Sequence, residues 1–177
     1  MKKVVINLIL VLLVFVCFFL QSNLFSWFNI AGIAPNLFVI LIVFIGLFAN
    51  KYMGAIYGVV VGFFIDYIFR SKVGIMPIAL GLVGIFSKIF DKNFSKDSRI
   101  TIMMIVGIMT VLFETISYFI GAMVFTFDIQ IWQFIKILLV EVVFNILLVV
   151  ILYPLIVRFG YYIENEYREN KILTRYF

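Results

Sequence analysis

The chain has 177 residues, of which 66% are hydrophobic and 13% charged, with mean hydropathy +1.22 and formal net charge +5. Soluble domains carry about 25% charged residues, so this composition excludes a soluble globular domain and points to a polytopic membrane protein. The positive charge is a membrane-topology signal rather than a nucleic-acid signal, because basic residues mark the cytoplasmic side of membrane proteins.

A span needs about 20 apolar residues, which leaves room for six helices in one bundle and almost no soluble domain. The first expected span runs from Val4 to Leu20. Lys2, Lys3 and the following apolar run resemble a signal peptide. No small-x-small site follows, however, so an uncleaved helix is expected. Cys17 is the single cysteine. It follows the bulky Val16, unlike a lipoprotein site, and it excludes an intrachain disulfide. The uncharged, aromatic segment SNLFSWFNIAGIAP is expected to lie along the outer membrane face.

The second span is expected from Ala34 to Ala49, the third from Tyr52 to Phe69 and the fourth from Gly74 to Phe90. The short turn RSKV makes the last two antiparallel neighbours. Within the third, Gly54, Gly58, Gly62, Asp66 and Arg70 recur every four residues and so share one face. Glycines without side chains let a second backbone come close, a common packing device in lipid. That second backbone could belong to this bundle or to another protein. Asp66 and Arg70 are one turn apart and are expected to pair at the helix end.

The loop DKNFSKDSR reads as a solvated cytoplasmic turn. The fifth span is expected from Ile100 to Phe127 and the sixth from Phe134 to Val157. Glu114 lies mid-way along the fifth. Glu141 and Asn145 lie one turn apart on the sixth. Carboxyls at mid-membrane cost about 2.5–3.5 kcal/mol on insertion scales, so they are expected to face the bundle interior. Their depths, counted from the outer end at about 1.5 Å per residue, allow Glu114 and Glu141 to share a pocket. The tail from about residue 158 to 177 reads as a short interfacial helix that could also meet a partner. The whole chain, 1–177, is one membrane domain with this short cytoplasmic tail.

Six spans put both ends on one side. That side holds Lys2, Lys3, Lys51, Lys88, Lys92, Lys96, Arg99, Arg158, Arg168, Lys171 and Arg175. The other side holds Arg70, Lys72 and Lys136. The asymmetry places both termini in the cytoplasm. Trp27 and Trp132 then fall at the outer interface, where aromatics are expected.

The sequence has no histidine. This removes His-based zinc proteases, Ser-His proteases and His proton relays as usually built. There is no Gly-rich phosphate loop ending in Lys-Ser/Thr, and Asp66 is the single aspartate within a span. No catalytic residue set, metal site or cofactor is expected, and the chain reads as a non-enzyme.

The run from Ala34 to Phe90, with Pro35-Asn36-Leu37, the glycine row ending in Asp66, and Val73-Gly74, resembles the bacterial rod shape-determining MreD family. That family opens its helix with Pro-Asp-Leu, where this chain has Asn36. The resemblance implies a multi-pass protein of the bacterial cytoplasmic (inner) membrane. It also implies a non-enzymatic scaffold of the cell-elongation machinery that controls rod shape and lateral peptidoglycan synthesis. The implied partners are an MreC-like bitopic protein and, through it, MreB filaments, RodA and a class B penicillin-binding protein. The implied fold is similar to the substrate-binding subunits of energy-coupling-factor vitamin transporters. That likeness supplies the alternative, a transporter subunit with Glu114, Glu141 and Asn145 lining a ligand pocket.

Overall fold

A computed structural model describes residues 2–30, 32–49, 51–69, 74–91, 98–125 and 130–172. These form six helices: α1 (Lys2–Trp27), α2 (Leu37–Phe48), α3 (Lys51–Phe69), α4 (Ile75–Asp91), α5 (Arg99–Phe125) and α6 (Ile131–Ile172). Arg70, Lys72 and most of the 91–99 loop lie outside the described residues.

The arrangement is built around α2. Its sequence LFVILIVFIGLF is apolar on every side, and all twelve residues are buried. A helix apolar all round belongs in a core, and α2 packs against each of the other five helices. At about 1.5 Å per residue, it is only ~18 Å long. Helix α2 therefore meets protein, not lipid, along its whole length.

The outer helices have the opposite character. Val4, Leu8, Leu12, Phe15 and Phe19 of α1 are exposed, as are Leu139, Val143, Leu147, Ile151 and Leu155 of α6. Apolar exposure on this scale marks a surface that is covered by something other than water. Helices α1, α5 and α6 are long and apolar enough to cross a membrane; α2, α3 and α4 are shorter apolar helices. The protein is therefore an all-helical membrane protein.

The structure moves several expected boundaries. Helix α1 continues to Trp27, so residues 22–27 belong to the first helix rather than to a separate segment. Helix α2 begins at Leu37, not Ala34, because Pro35 has no N–H and Asn36 is extended. The tail is not a separate interfacial helix. Helix α6 runs unbroken through Pro154 to Ile172, and its distal part packs back on the bundle. Tyr161 meets Phe48 edge-on at 5.9 Å. A Cβ on Gly160 would lie 2.6 Å from the Phe48 ring.

Candidate functional site

The glycine row packs inside the chain. A Cβ on Gly58 would strike the Leu80 carbonyl, and one on Gly62 would strike the Pro77 backbone. A Cβ on Gly54 would lie 2.8 Å from both Gly46 Cα and the Gly84 carbonyl oxygen. Helix α4 therefore fills the groove that the row creates, with α2 closing its inner end. Gly46, Gly54 and Gly84 form a contact point where three backbones meet. The row is consequently not open to another protein.

Asp66 is buried at the other end of this interface. Its Oδ2 accepts hydrogen bonds from the Gly74 N–H at 2.8 Å and the Met76 N–H at 3.1 Å. The first N–H groups of a helix have no intrahelical acceptor, and Asp66 supplies one for α4 from the neighbouring α3. Gly74 has φ +127°, a conformation that favours glycine over any residue with a Cβ. The Asp66–Arg70 pair involves a residue outside those described; Asp66 Oδ2 holds the start of α4.

The start of α2 is held in a comparable way, by three other helices. Asn36 caps it, with Oδ1 accepting from the Val39 N–H at 3.3 Å. The Asn36 N–H donates to Asn145 Oδ1 of α6 at 2.8 Å. Asn145 Nδ2 donates to Thr110 Oγ1 of α5 at 3.0 Å, and the Thr110 hydroxyl donates to the Val106 carbonyl at 2.8 Å. Gln21 of α1 grips the same point. Its Nε2 donates to the Pro35 carbonyl at 2.8 Å, and its Oε1 accepts from the Leu37 N–H at 3.0 Å. At the far end, Lys88 Nζ of α4 donates to the Leu47 carbonyl at 2.9 Å, where a cation also suits the helix dipole. Both ends of the buried helix are thus satisfied by side chains from its neighbours.

Glu141 completes this polar cluster one turn from Asn145. The side chains of Glu114, Asn36 and Asn145 lie against its carboxyl. The structure thus brings Glu114, Glu141 and Asn145 together with Pro35 and Asn36. Glu141 is 6% exposed, and its Oε1 has no hydrogen-bond partner among the described residues. Other atoms of the Glu141 side chain line a cavity of about 380 Å³, together with Gln21, Asn36, Phe38, Met76 and Phe113.

Sequence reasoning missed Gln21, Thr110, Lys88, Gly46 and Gly84. Each is a polar or small residue set in an apolar run, and such a residue usually has a packing or bonding reason. Gln21, Thr110 and Lys88 reach other helices or their caps across 14 to 41 positions, which no local pattern reveals. Among the described residues, no group of three or more His, Cys, Asp or Glu could hold a metal ion.

A family model described as rod shape-determining protein MreD matches residues 1–162. The chain belongs to the MreD family. Comparison with curated proteins and with solved structures returned no match. The MreD assignment gives the protein a role in rod shape determination. Where the family pattern has an aspartate, this MreD chain has Asn36, and the residue acts as an N-cap. Asn and Asp cap helices about equally well, so the departure leaves the start of α2 intact.

Proposed function

We propose that the protein is a non-enzymatic, six-span subunit of the cell-elongation machinery in the bacterial cytoplasmic membrane. It holds an MreC-like bitopic protein and, through it, links MreB filaments to RodA and a class B penicillin-binding protein. The observation that carries this reading is the MreD family match over residues 1–162. The fold is in keeping with it. The interior polar residues Asn36, Asp66, Lys88, Thr110 and Asn145 all serve helix ends or helix-to-helix links.

Both termini lie in the cytoplasm in this reading. Trp27 and Trp132 are 87% and 69% exposed at the same end of the bundle, where an outer interfacial belt would lie. Lys136 sits 5.4 Å from the Trp132 ring centroid and anchors that belt. Arg99 sits 5.0 Å from the Tyr153 ring at the opposite end. Because α4 and α2 fill the glycine groove, the partner surface lies on the exposed apolar faces of the outer helices.

Depletion and rescue tests the function. Cells depleted of this chain are expected to become round, and the wild-type gene is expected to restore rods. Depleted cells that keep rod shape and normal lateral wall growth would refute it.

A further inference from the structure

The helices do not all reach the same height. Helix α2 begins at Leu37, between the cavity residues Asn36 and Phe38; α4 begins at Ile75, beside Met76; and α3 ends at Phe69, one turn past Ile65. Helices α1, α5 and α6 run on past the same cavity, from Gln21 to Trp27, from Phe113 to Phe125 and from Glu141 back to Ile131. At about 1.5 Å per residue, they overshoot it by roughly 9, 18 and 15 Å. This end of the bundle is therefore a recess walled by three helices, with the cavity of about 380 Å³ as its floor. Ile135 and Ile137 lie on opposite sides of α6 and are both exposed, so this wall meets apolar material on two faces.

Depth, size and polarity define what fits. Trp27 and Trp132 stand exposed at the rim, the level of a membrane interface. A bilayer has a hydrocarbon core about 30 Å thick, so the floor lies near half-depth, among lipid tails. A helix about 10–12 Å across occupies roughly 400 Å³ or more per turn, so the cavity cannot seat one along its length. A single narrow chain fits. Phe38, Met76, Leu80 and Phe113 supply an apolar wall. The polar groups beside them are already engaged. Gln21 holds the Pro35 carbonyl and the Leu37 N–H, Asn36 Oδ1 caps α2, and the Glu141 carboxyl lies against Glu114, Asn36 and Asn145. Among the described residues, no Lys or Arg lines the cavity. The floor thus suits hydrocarbon rather than a polar headgroup.

From these features we infer that the acyl tail of a membrane lipid enters the recess and seats its end in the cavity, against Phe38, Met76 and Phe113. Tail binding of this kind requires only a bundle that spans a membrane, not the partners proposed above.

The test uses the purified full-length chain in phosphatidylcholine vesicles. One preparation contains a phosphatidylcholine with a photoreactive diazirine at the end of one acyl tail, and the other a phospholipid with the diazirine on its headgroup. After illumination, labelled residues are mapped by peptide mass spectrometry. The tail probe is expected to mark Met76 and Phe113, both buried at the cavity wall. Ile42 and Ile45, buried in α2 away from the cavity, are expected to carry at least tenfold less label.

Ile65→Trp fills the cavity from α3 without touching the hydrogen bonds at the start of α2. It is expected to lower the label on Met76 and Phe113 at least tenfold and to leave the label on the exposed Leu147 unchanged. Should Ile65→Trp fail to fold, Ala34→Phe fills the cavity from its rim and is expected to do the same. Three results would each overturn the inference: no tail label on Met76 and Phe113, stronger label there from the headgroup probe than from the tail probe, or unchanged label when the cavity is filled.

Discussion

Alanine at Gly54 measures how tightly the three central helices are locked. The new methyl carbon would lie 2.8 Å from both Gly46 Cα and the Gly84 carbonyl oxygen. Carbon contacts are optimal at about 3.5–4.0 Å, so the overlap is roughly 1 Å on two sides. Both obstacles are backbone, and no side chain can rotate away to relieve them. Overpacking of this kind costs about 1–3 kcal/mol, and replacing a helical glycine by alanine returns up to about 1 kcal/mol. A net loss of about 1–2 kcal/mol is expected.

Gly107 is the internal control. Its added Cβ would lie 3.4 Å from the flexible Ile146 Cδ1, an ordinary contact, so Gly107→Ala is expected to be neutral or stabilising by up to about 1 kcal/mol. Reversible unfolding in mixed dodecylmaltoside–SDS micelles reads both variants. The opposite signs carry the prediction. Equal midpoints for the two variants, or a stabilised Gly54→Ala, would refute the close three-backbone contact.

Three further outcomes follow from the capped helix ends. Asp66→Ala removes the acceptor for one buried and one half-buried N–H group at the start of α4 and is expected to cost about 2–3 kcal/mol, while Asp66→Asn keeps one acceptor and loses less in the same unfolding assay. Asn145→Leu strands the Asn36 N–H and cuts the link to Thr110; a loss of about 1–3 kcal/mol is expected, seen as a lower unfolding midpoint with unchanged helical circular dichroism. Gly74→Ala forces a Cβ onto a backbone with φ +127° and is expected to cost about 1–3 kcal/mol, although nothing lies within 4 Å of the new atom. A Gly74→Ala protein as stable as wild type would show that α4 starts differently.

Much of this architecture was legible because lipid-facing helices are written as long apolar runs. All six helices overlap the expected spans, and α1 and α6 reach well beyond theirs. The glycine row was legible as a close-packing face, since spacing of four fixes a shared side. What it packs against was not, because Gly46 is the lone glycine of α2 and Gly84 belongs to no four-residue row in α4. Asp66 was read as the local partner of Arg70, which lies outside the described residues; its hydrogen bond to an N–H eight residues on was not legible. That bond depends on how α4 folds back after the turn. Asn36 and Asn145 are 109 positions apart, and only the central placement of α2 brings them together. The extension of α6 was hidden by Pro154 and by the rising charge after Val157, both of which usually mark an end. Packing of Gly160 and Tyr161 on Phe48 holds the distal part on the bundle.

The central claim is that this MreD-family chain acts by holding partners in the elongation machinery. The most direct measurement is a gentle-detergent pull-down of the tagged protein from its own cells, with co-purifying proteins identified by mass spectrometry. Recovery of an MreC-like bitopic protein together with RodA and a class B penicillin-binding protein is the expected result. Recovery of a pair of ATPases with a coupling membrane subunit, and no MreC-like protein, would contradict it.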